Sequence, residues 1–387
     1  MEFLKNQLNK ENIICISTSD WDAPYGSRQH IMSRLAKNNR VLYIEAQLSI
    51  LHILKNGLGG LKRIKRWLKG LRHEGRGLYL YTPIPLLPFG NYFIFINHLN
   101  QLILGAILRR LARRLGFRKP LLWVYCINSA PLLKRMSEKL SIYYCIDDFP
   151  SEINIAKRMA SMLFLENYAL RKADIVFACT RTLAEQRKKN RPDIHFLRNG
   201  VDFTTFDIKE GGRPVPEDIR DISSPRIGVV GTLDSRIDSE LILYLAQNKK
   251  EWQIVLVGKS LKQTRDFRRQ HNIHLLGLKN RSLIASYIMA LDVCIIPYRT
   301  QSFQAAIFPL KTLEYLACGK PVVSTYLPEL EEFKDVVRLS RTREEFIDNI
   351  ELSLKNKGMI EKRKKVASGA SWENMMREML EIISAKS

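Results

Sequence analysis

Residues 308–324 read FPLKTLEYLACGKPVVS, which predicts a short helix followed at once by a buried strand. Pro309 suits the first position of the helix, where no N–H group is needed, and Gly319 ends it. The strand begins at Val322. Such a helix directs its first N–H groups and its positive dipole end at the mouth of a parallel sheet, which favours binding of a phosphate or diphosphate. Glu314 lies one turn in, where a carboxylate can accept two hydrogen bonds from a sugar diol.

The length and charge of the chain set broad limits on its organisation and partners. At 387 residues the chain exceeds the usual size of a single core, so two domains are expected. No apolar run approaches the ~20 residues of a membrane span, and residues 1–8 lack the apolar region of a signal peptide, so no export is expected. The net charge of +23 admits nucleic acid, an anionic membrane surface or a polyanionic substrate as partners.

Six cysteines occur singly, most of them in apolar runs that predict strands: Cys15, Cys126, Cys145, Cys179, Cys294 and Cys318. No CxxC pair is present, and no Cys/His cluster has the spacing of a metal site. The pattern favours reduced thiols in the core of a cytosolic protein over disulfides or zinc. We therefore expect no zinc site, and no other metal or cofactor is expected either.

Two basic segments lie in the first third of the chain. Residues 51–76 interleave apolar side chains, Trp67 among them, with eight Lys or Arg residues and one acid. Gly57, Gly59 and Gly60 weaken the helix and suggest a break. Residues 91–119 predict an apolar helix that ends in arginines. Basic amphipathic patterns of this kind are typical of helices on an anionic membrane surface, so we predict that both segments face a membrane. The main alternative is a solvated basic face over an ordinary core helix. A nucleic-acid surface is disfavoured because no RRM, KH or helix-turn-helix pattern accompanies the charge.

Three stretches match a known family. They are LEYLACGKPVV at 313–323, RNGVD at 198–202 with Phe206 after it, and YYCIDDF at 143–149. These stretches resemble elements of the retaining GT-B glycosyltransferases of family 4. The third resembles an element of a bacterial subgroup that includes teichuronic acid biosynthesis glycosyltransferases.

The resemblance implies an α/β fold of the GT-B type, with two Rossmann-like domains facing each other across a cleft. It places an acceptor-binding domain at 1–205 and a nucleotide-sugar-binding domain at 206–366. A C-terminal helix at 367–387 is implied to cross back to the first domain. The residues themselves agree with an α/β fold, because a βαβ opening without a GxGxxG fingerprint is predicted over 13–45.

The resemblance assigns a donor site to the second domain. Its implied residues are Gly231, Thr232, Arg236, Gly258, Gly277, Phe308, Pro309, Leu310, Lys311 and Glu314. In this assignment Glu314 holds the ribose, and Arg236 and Lys311 stabilise negative charge on the diphosphate during catalysis. The alternative is that Lys311 and Glu314 lie on an exposed helix face.

The family pattern is incomplete in this chain. A Glu-x7-Glu motif would place its first Glu at position 306, which is Ala306. Thr232 replaces an Arg of the usual phosphate-binding loop, and Arg236 falls one position short of its Lys. Many relatives have a His in this part of the first domain, but none occurs here between His98 and His195.

In the first domain the resemblance implies acceptor-side residues in the first loop, namely Asp22, Gly26, Ser27 and Arg28. An ordinary loop and helix cap is the alternative for each of them. Asp147 and Asp148 directly follow a predicted strand, at the edge where open α/β sheets place ligands. They could orient an acceptor hydroxyl or act as a catalytic base, and a helix N-cap is the alternative.

The function expected from this resemblance is metal-independent, retaining hexosyl transfer. The donor would be a UDP- or GDP-sugar, and the acceptor a membrane-proximal or lipid-linked glycan in cell-surface polysaccharide biosynthesis. The protein would be cytoplasmic, peripheral on the inner face of the cell membrane, with no nucleic-acid partner. Two alternatives stay open: a sugar-nucleotide 2-epimerase, and a non-catalytic protein that binds a sugar nucleotide or scaffolds a membrane complex.

Overall fold

A computed structural model describes residues 8–23, 25–148, 156–208, 212–259, 266–300, 306–356 and 358–386. The chain divides into two compact units. Met1–Arg198 together with Met375–Ser387 form the first, here called the N-terminal unit, and Asn199–Asn374 form the C-terminal unit. The expected division after residue 205 falls later in the chain than this one.

The N-terminal unit contains an eight-stranded sheet. Its strands are β1 (Asn12–Ile16), β2 (Arg40–Ile44), β3 (Leu71–His73), β4 (Leu78–Tyr81), β5 (Leu121–Val124), β6 (Leu140–Cys145), β7 (Ile175–Ala178) and β8 (His195–Phe196). Their order is β3-β4-β2-β1-β5-β6-β7-β8, and every neighbouring pair is parallel except β3 and β4. Continuous apolar runs such as Ile13–Ile16 are buried, as strands covered on both faces require.

The central strand β4 runs directly into a proline-rich segment, residues 82–89. Leu80 and Tyr81 pair with both β2 and β3. The strand ends before Pro83, so no ladder hydrogen bond is lost to a proline.

The helices of the N-terminal unit lie in the segments that connect these strands. They are α1 (Ser27–Leu35), α2 (Ile50–Lys55), α3 (Leu58–Leu68), α4 (Ile94–Arg114), α5 (Ala156–Lys172) and α6 (Arg181–Arg187). The predicted break in the basic segment is confirmed at Gly57, where φ is 49° between α2 and α3. Gly60 lets α3 pack on α2, because a Cβ there would lie 2.0 Å from the Ile53 carbonyl oxygen. Within the described ranges, no helix has the length and apolar character needed to cross a bilayer.

The C-terminal unit contains a fully parallel six-stranded sheet. Its strands are β9 (Arg226–Val230), β10 (Gln253–Val257), β11 (Ile273–Gly277), β12 (Val293–Ile296), β13 (Val322–Thr325) and β14 (Val337–Ser340), in the order β11-β10-β9-β12-β13-β14. The helices are α7 (Phe203–Phe206), α8 (Glu217–Arg220), α9 (Ser239–Asn248), α10 (Ile284–Met289), α11 (Lys311–Ala317), α12 (Arg343–Lys355) and α13 (Ile360–Gly369). The strand order reverses between β9 and β12, which is where open α/β sheets bind ligands.

The helix and strand predicted from residues 308–324 are confirmed as α11 and β13. Gly319 ends the helix in a left-handed conformation with φ 71°, and a Cβ there would lie 2.7 Å from Ile360. The expectation for Pro309 is wrong by two residues, because α11 begins at Lys311 with Leu310 as its N-cap. Pro309 instead starts the preceding turn, in which its carbonyl accepts from the N–H of Thr312 at 2.9 Å.

The last helix, α14 (Trp372–Ser384), links the two units in sequence. Residues from Met375 onward belong to the N-terminal unit, which is consistent with the predicted return of the C-terminal helix. Lys386 fixes its end by an ion pair to Asp193 at 3.3 Å. All six cysteines are buried thiols, as the sequence predicts.

We expect Tyr315→Phe to destabilise the C-terminal unit. The buried Tyr315 hydroxyl accepts from the Val230 N–H at 2.9 Å at the end of β9, and its loss leaves that N–H without a partner. The expected decrease in unfolding free energy is about 1–3 kcal/mol, measured by urea denaturation. Tyr244→Phe is the matched control, because the Tyr244 hydroxyl bonds Glu344 at the surface. Equal losses in the two variants would contradict the role given to Tyr315.

Candidate functional site

Three glycines end neighbouring strands of the C-terminal unit. Gly231, Gly258 and Gly277 close β9, β10 and β11 with φ values of 138°, 147° and 70°. A Cβ at Gly231 would lie 1.8 Å from the Lys311 ammonium nitrogen, and one at Gly258 would lie 1.9 Å from the Gly231 oxygen. These glycines therefore let a lysine and a backbone oxygen approach the end of the sheet closely.

Lys311 is the first residue of α11 and extends its side chain over Gly231. The lysine is partly buried, and burial lowers its pKa to about 8; the nearby Arg236 lowers it further, whereas Glu314 and Asp234 oppose the shift. Among the described residues, no carboxylate lies within ion-pair distance of its ammonium. The site therefore holds a cation whose charge is incompletely compensated, and an anionic ligand could complete that compensation.

Glu314 lies one turn after Lys311 on the same helix. Burial raises its pKa to about 7, although the positive charges of Lys311 and Arg281 act in the opposite direction. In the part of the chain that the structure describes, no group donates a hydrogen bond to its carboxylate. A partly buried carboxylate with unused acceptor positions can bind a ligand that carries hydroxyl groups.

The positive charge of Arg236 lies next to the carboxylate of Asp234. The backbone N–H of Arg236 donates to Asp234 at 3.0 Å, and its guanidinium donates to the same carboxylate at 2.9 Å and 2.5 Å. The guanidinium also lies 5.8 Å from the centre of the Tyr298 ring. Asp234 therefore offsets much of the charge of Arg236, and an anion binding there would share the guanidinium with this carboxylate.

The remaining residues of the implied donor site differ in their exposure to solvent. Thr232 is exposed beside Gly231, whereas Pro309 is buried before α11. Phe308 is 9% exposed, and its ring lies 5.7 Å from that of Phe333. Ala306, which stands in place of the expected Glu, is also buried and brings no charge. The structure thus brings Lys311 together with Gly231, Asp234 and Arg236, while Phe308 belongs to the core.

In the N-terminal unit, Asp148 is part of a buried ion network. Its carboxylate accepts from Arg187 at 2.5 Å, and Arg187 also pairs with Glu166 at 3.2 Å. Burial raises the pKa of Glu166. This pairing argues against Asp148 as a catalytic base and for a structural role. Asp147 is only partly buried, and its carboxylate accepts the backbone N–H of Asp148 at 3.1 Å.

The implied acceptor-side loop is held by internal contacts. Arg28 donates to Thr18 at 2.9 Å and to Ser19 at 3.1 Å, and Asp22 pairs with Arg66 at 2.6 Å. Gly26 is the N-cap of α1, and Ser27 is buried as its first residue, which fits the helix-cap alternative for these two residues.

Three arginines counted as part of the basic membrane-facing segment instead make ion pairs within the N-terminal unit. Arg63 pairs with Asp20, Arg66 with Asp22, and Arg72 with the buried Glu45 at 2.8 Å. The membrane-facing charge predicted for residues 51–76 is therefore left to the lysines and to the exposed Arg76. Sequence reasoning missed this because the acidic partners lie far away in the chain.

Several residues of the candidate site were not predicted from the sequence. Asp234 had a local signal, because an Asp two residues before an Arg can form the turn seen here. Arg281 and Tyr298 reach the site only through the tertiary fold. Across the described ranges, no group of three or more His, Cys, Asp or Glu residues could hold a metal ion.

Comparison with known proteins identifies the class of the C-terminal unit. Residues 224–356 match the family model described as glycosyl transferases group 1, so this unit contains a domain of that family. The chain is 27% identical over 232 residues to TuaH of Bacillus subtilis (strain 168), which is named as a teichuronic acid biosynthesis glycosyltransferase. That match covers 55% of this chain and 57% of TuaH, so it spans little more than half of the relative's length.

Two solved structures are similar to the chain over nearly its whole length. Sucrose-phosphate synthase from Thermosynechococcus elongatus has a TM-score of 0.70 and 15% identity, with 98% of this chain and 100% of that chain covered. Anabaena HepE in complex with UDP has a TM-score of 0.68 and 16% identity, with 97% and 100% covered. At these identities the likeness shows the fold alone. The predicted GT-B fold class, with two Rossmann-like bodies, is confirmed.

We expect Glu314→Gln to stabilise the protein at alkaline pH. The pKa of Glu314 rises from its ordinary value of 4.5 to about 7 on folding, so the stability that protonation provides is lost as the pH rises through about 7. The variant cannot ionise, so at about pH 8.5 it should be more stable by about 3 kcal/mol, with little advantage below about pH 5.

Urea denaturation across this pH range measures the effect. Glu361→Gln, at an exposed position of α13, is the control and should show no such change with pH. A constant difference between wild type and Glu314→Gln at all pH values would contradict the burial of this carboxylate.

Proposed function

We propose that this protein is a glycosyltransferase that moves a hexosyl group from a nucleotide-diphosphate sugar to a glycan acceptor. The observation that supports it best is the pair on α11, with the Lys311 ammonium over Gly231 and the Glu314 carboxylate one turn away. A cation and a free carboxylate at this spacing suit the diphosphate and the ribose diol of one ligand. The glycosyl transferases group 1 domain over residues 224–356 supports the same function.

In this proposal the cations act mainly on the leaving group. Lys311 and Arg236 stabilise the negative charge that develops on the diphosphate when its bond to the sugar breaks. No metal takes part, and the sugar keeps its anomeric configuration. Glu314 fixes the nucleotide by accepting hydrogen bonds from the ribose. Asp147, at the end of β6, orients the acceptor hydroxyl. The similarity to TuaH supports a place in the biosynthesis of a cell-surface polysaccharide.

The first test is a thermal-shift panel of UDP, GDP and ADP with a chelator present. A ligand at 100 times its dissociation constant stabilises a protein by about 2.7 kcal/mol, which the assay resolves. We expect one diphosphate to stabilise the protein, and Glu314→Ala or Lys311→Met to weaken its binding by about 1–3 kcal/mol. Lys362→Met, at an exposed position of α13, is the matched control and should bind as wild type. No shift with any diphosphate would contradict the proposal.

We also expect nucleotide affinity to have a narrow pH optimum. Glu314 must be ionised to accept the ribose hydroxyls, so affinity should fall as the pH decreases below about 7. Lys311 must be protonated to bind the diphosphate, so affinity should also fall as the pH rises above about 8. Titration calorimetry across this range should show the acid limb disappear in Glu314→Gln and the alkaline limb disappear in Lys311→Met. A wild-type affinity that does not change with pH would contradict the contact of Glu314 and Lys311 with the nucleotide.

A second candidate is a protein that binds a sugar nucleotide without transferring the sugar. Ala306 favours it, because the family motif has a Glu at this position and the buried alanine cannot contact a donor sugar through charge. Slow hydrolysis of UDP-sugars or GDP-sugars without acceptor distinguishes the two. Release of free sugar supports the transferase, whereas tight binding of the intact donor without release supports the non-catalytic protein.

We also propose that the N-terminal unit lies on an anionic membrane through α3. This helix is attached to the unit by its polar side, where Arg63 pairs with Asp20 and the Trp67 indole N–H donates to the Tyr81 hydroxyl. Its apolar side faces solvent instead, with Leu58, Leu61 and Leu68 exposed at 79%, 57% and 70%. This is the reverse of an ordinary surface helix, in which the apolar side faces the core.

The charge next to this apolar side fits the same proposal. Lys62, Lys65 and Lys69 are exposed and follow the outer side of α3 at helical spacing. Lysines beside exposed leucines suit a helix that lies in the interface of an anionic bilayer. The outer side of α4 adds further exposed apolar residues, including Phe95 at 71% and Leu99 at 46%. The protein would then act on a membrane-proximal or lipid-linked acceptor from the cytoplasmic face.

Vesicle sedimentation tests this surface. We expect binding to vesicles with anionic lipid and little binding to neutral vesicles. Replacing Lys62, Lys65 and Lys69 by Gln should weaken binding about 100-fold, because each lysine near the surface contributes about 1 kcal/mol. Leu61→Asp with Leu68→Asp should also abolish it, whereas Leu352→Asp, at a leucine 47% exposed on α12, should not. Equal binding by all variants would contradict the assignment to α3.

A further inference from the structure

A small cavity opens in the C-terminal unit at the opposite edge of the sheet from the candidate site. It has a volume of about 110 Å³ and lies where β13 and β14 begin, lined by Val322 and Val337 of these strands and by residues of α12 and α13. Gly231, Gly258 and Gly277 of the candidate site lie instead where their strands end. The cavity is therefore separate from the site proposed for the nucleotide, and its volume suits only a small ion or a single substituent of a larger ligand.

Arg363 of α13 is the most buried charged residue in the wall of this cavity. Its side chain is 5% exposed, and its Nη1 donates to the carbonyl of Gly319 at 3.1 Å. Its Nη2 makes no hydrogen bond among the described residues and is accessible to solvent, unlike the enclosed Nε. No carboxylate of the described ranges lies within ion-pair distance of the guanidinium. A buried charge without a counter-ion is costly, so this arginine favours an anion in the cavity.

A second arginine adds to the positive charge of the cavity. Arg338 of β14 is half-buried and lines the same space as Arg363. Its guanidinium makes neither a hydrogen bond nor an ion pair with the described residues. Burial lowers the pKa of Arg363, and the charge of Arg338 lowers it further, although both arginines stay protonated at neutral pH. The two cations repel each other, and an anion between them would remove that repulsion.

The other charged residues at the cavity compensate one another at the surface. Asp335 also lines the cavity, but its side chain is 74% exposed and lies 3.8 Å from the ammonium of Lys362. Lys334 lies 3.9 Å from the carboxylate of Glu331. Exposed pairs of this kind contribute little to the local field. The charge left at the cavity is therefore close to that of the two arginines, about two positive charges.

The remaining polar groups at the cavity are mostly donors. Met359 lines the cavity and is the N-cap of α13, where no side chain of the described residues caps the first N–H groups. The positive end of the helix dipole therefore adds to the charge of the arginines. Asn356 uses its Oδ1 to accept the N–H of Gly358 at 3.1 Å, which leaves its NH₂ group as a donor. Donors around two cations suit a tetrahedral oxyanion with several acceptor oxygens.

We propose that this cavity binds one phosphate group, held by Arg363 and Arg338 at the start of α13. A phosphate group carries nearly two negative charges at neutral pH, which matches the two arginines, whereas a carboxylate carries only one. The guanidinium fork also fits phosphate oxygens. The phosphate can be a free ion or a substituent of a small molecule that extends into solvent. This site goes beyond the proposed function and does not depend on it.

Thermal denaturation of the full-length protein tests the proposal, with sodium phosphate replacing sodium chloride at constant ionic strength. Lys311→Met serves as the background, so that phosphate bound near Gly231 does not contribute. We expect phosphate to raise the melting temperature of this background. Adding Arg338→Gln should weaken phosphate binding about ten-fold, because a charged donor is lost. Adding Arg269→Gln, at an exposed arginine between β10 and β11, should leave it unchanged.

A third variant tests the buried arginine. Arg363→Met in the same background should remove the response to phosphate. This variant also loses the hydrogen bond to Gly319, so Arg338→Gln, which breaks no contact among the described residues, decides the outcome if Arg363→Met does not fold. An unchanged response to phosphate in Arg338→Gln would overturn the proposal. A background that phosphate does not stabilise, or that acetate stabilises equally well, would also overturn it.

Glycerol 3-phosphate in the same assay distinguishes the two sources of the phosphate group. Stabilisation by both inorganic phosphate and glycerol 3-phosphate, lost in Arg338→Gln, supports a site for the phosphate group of a larger molecule. Stabilisation by inorganic phosphate alone, lost in the same variant, supports a site for the free ion.

Discussion

The close approach of α11 to the end of β9 is the constraint on which the candidate site depends. The Tyr315 hydroxyl bonds the backbone of Val230, and Lys311 crosses Gly231 at a distance that no other residue at 231 would allow. Gly258 permits the next strand to approach in the same way. One helix of seven residues is thereby fixed against the strand-order reversal of the sheet, and its two charged residues are held partly buried. Their shifted pKa values follow from that position.

The two units differ in how far their buried polar and charged groups are paired. In the C-terminal unit, Lys311 and Glu314 are left with little compensation, which keeps them available to a ligand. In the N-terminal unit, carboxylates such as Asp148 and Glu45 are paired with arginines. The buried amides next to β2 and β5 are likewise bonded to one another. The uncompensated groups of the C-terminal unit point to a ligand, because satisfied groups have little to gain from binding.

The basic segment shows why charge in a sequence is an incomplete guide to surface charge. Arginines and lysines look equivalent in residues 51–76, and the sequence predicts one basic face. The fold separates them: Arg63, Arg66 and Arg72 anchor the segment to acidic residues distant in the chain, and the lysines stay in solvent. The guanidinium group suits such anchoring because it can bond several acceptors at once. The exposed leucines of α3 are a consequence of this attachment.

The sequence by itself determined the α/β class, α11 with the following strand β13, a break among the glycines at 57–60 and the burial of the cysteines, because local patterns of apolar residues, glycine and proline encode them. The GT-B type followed from the resemblance to a known family. Only the tertiary structure decided that Asp234 offsets Arg236 and that Asp148 is bound by Arg187. Ion pairing and hydrogen bonding depend on distances between residues far apart in the chain, and a sequence pattern does not contain those distances.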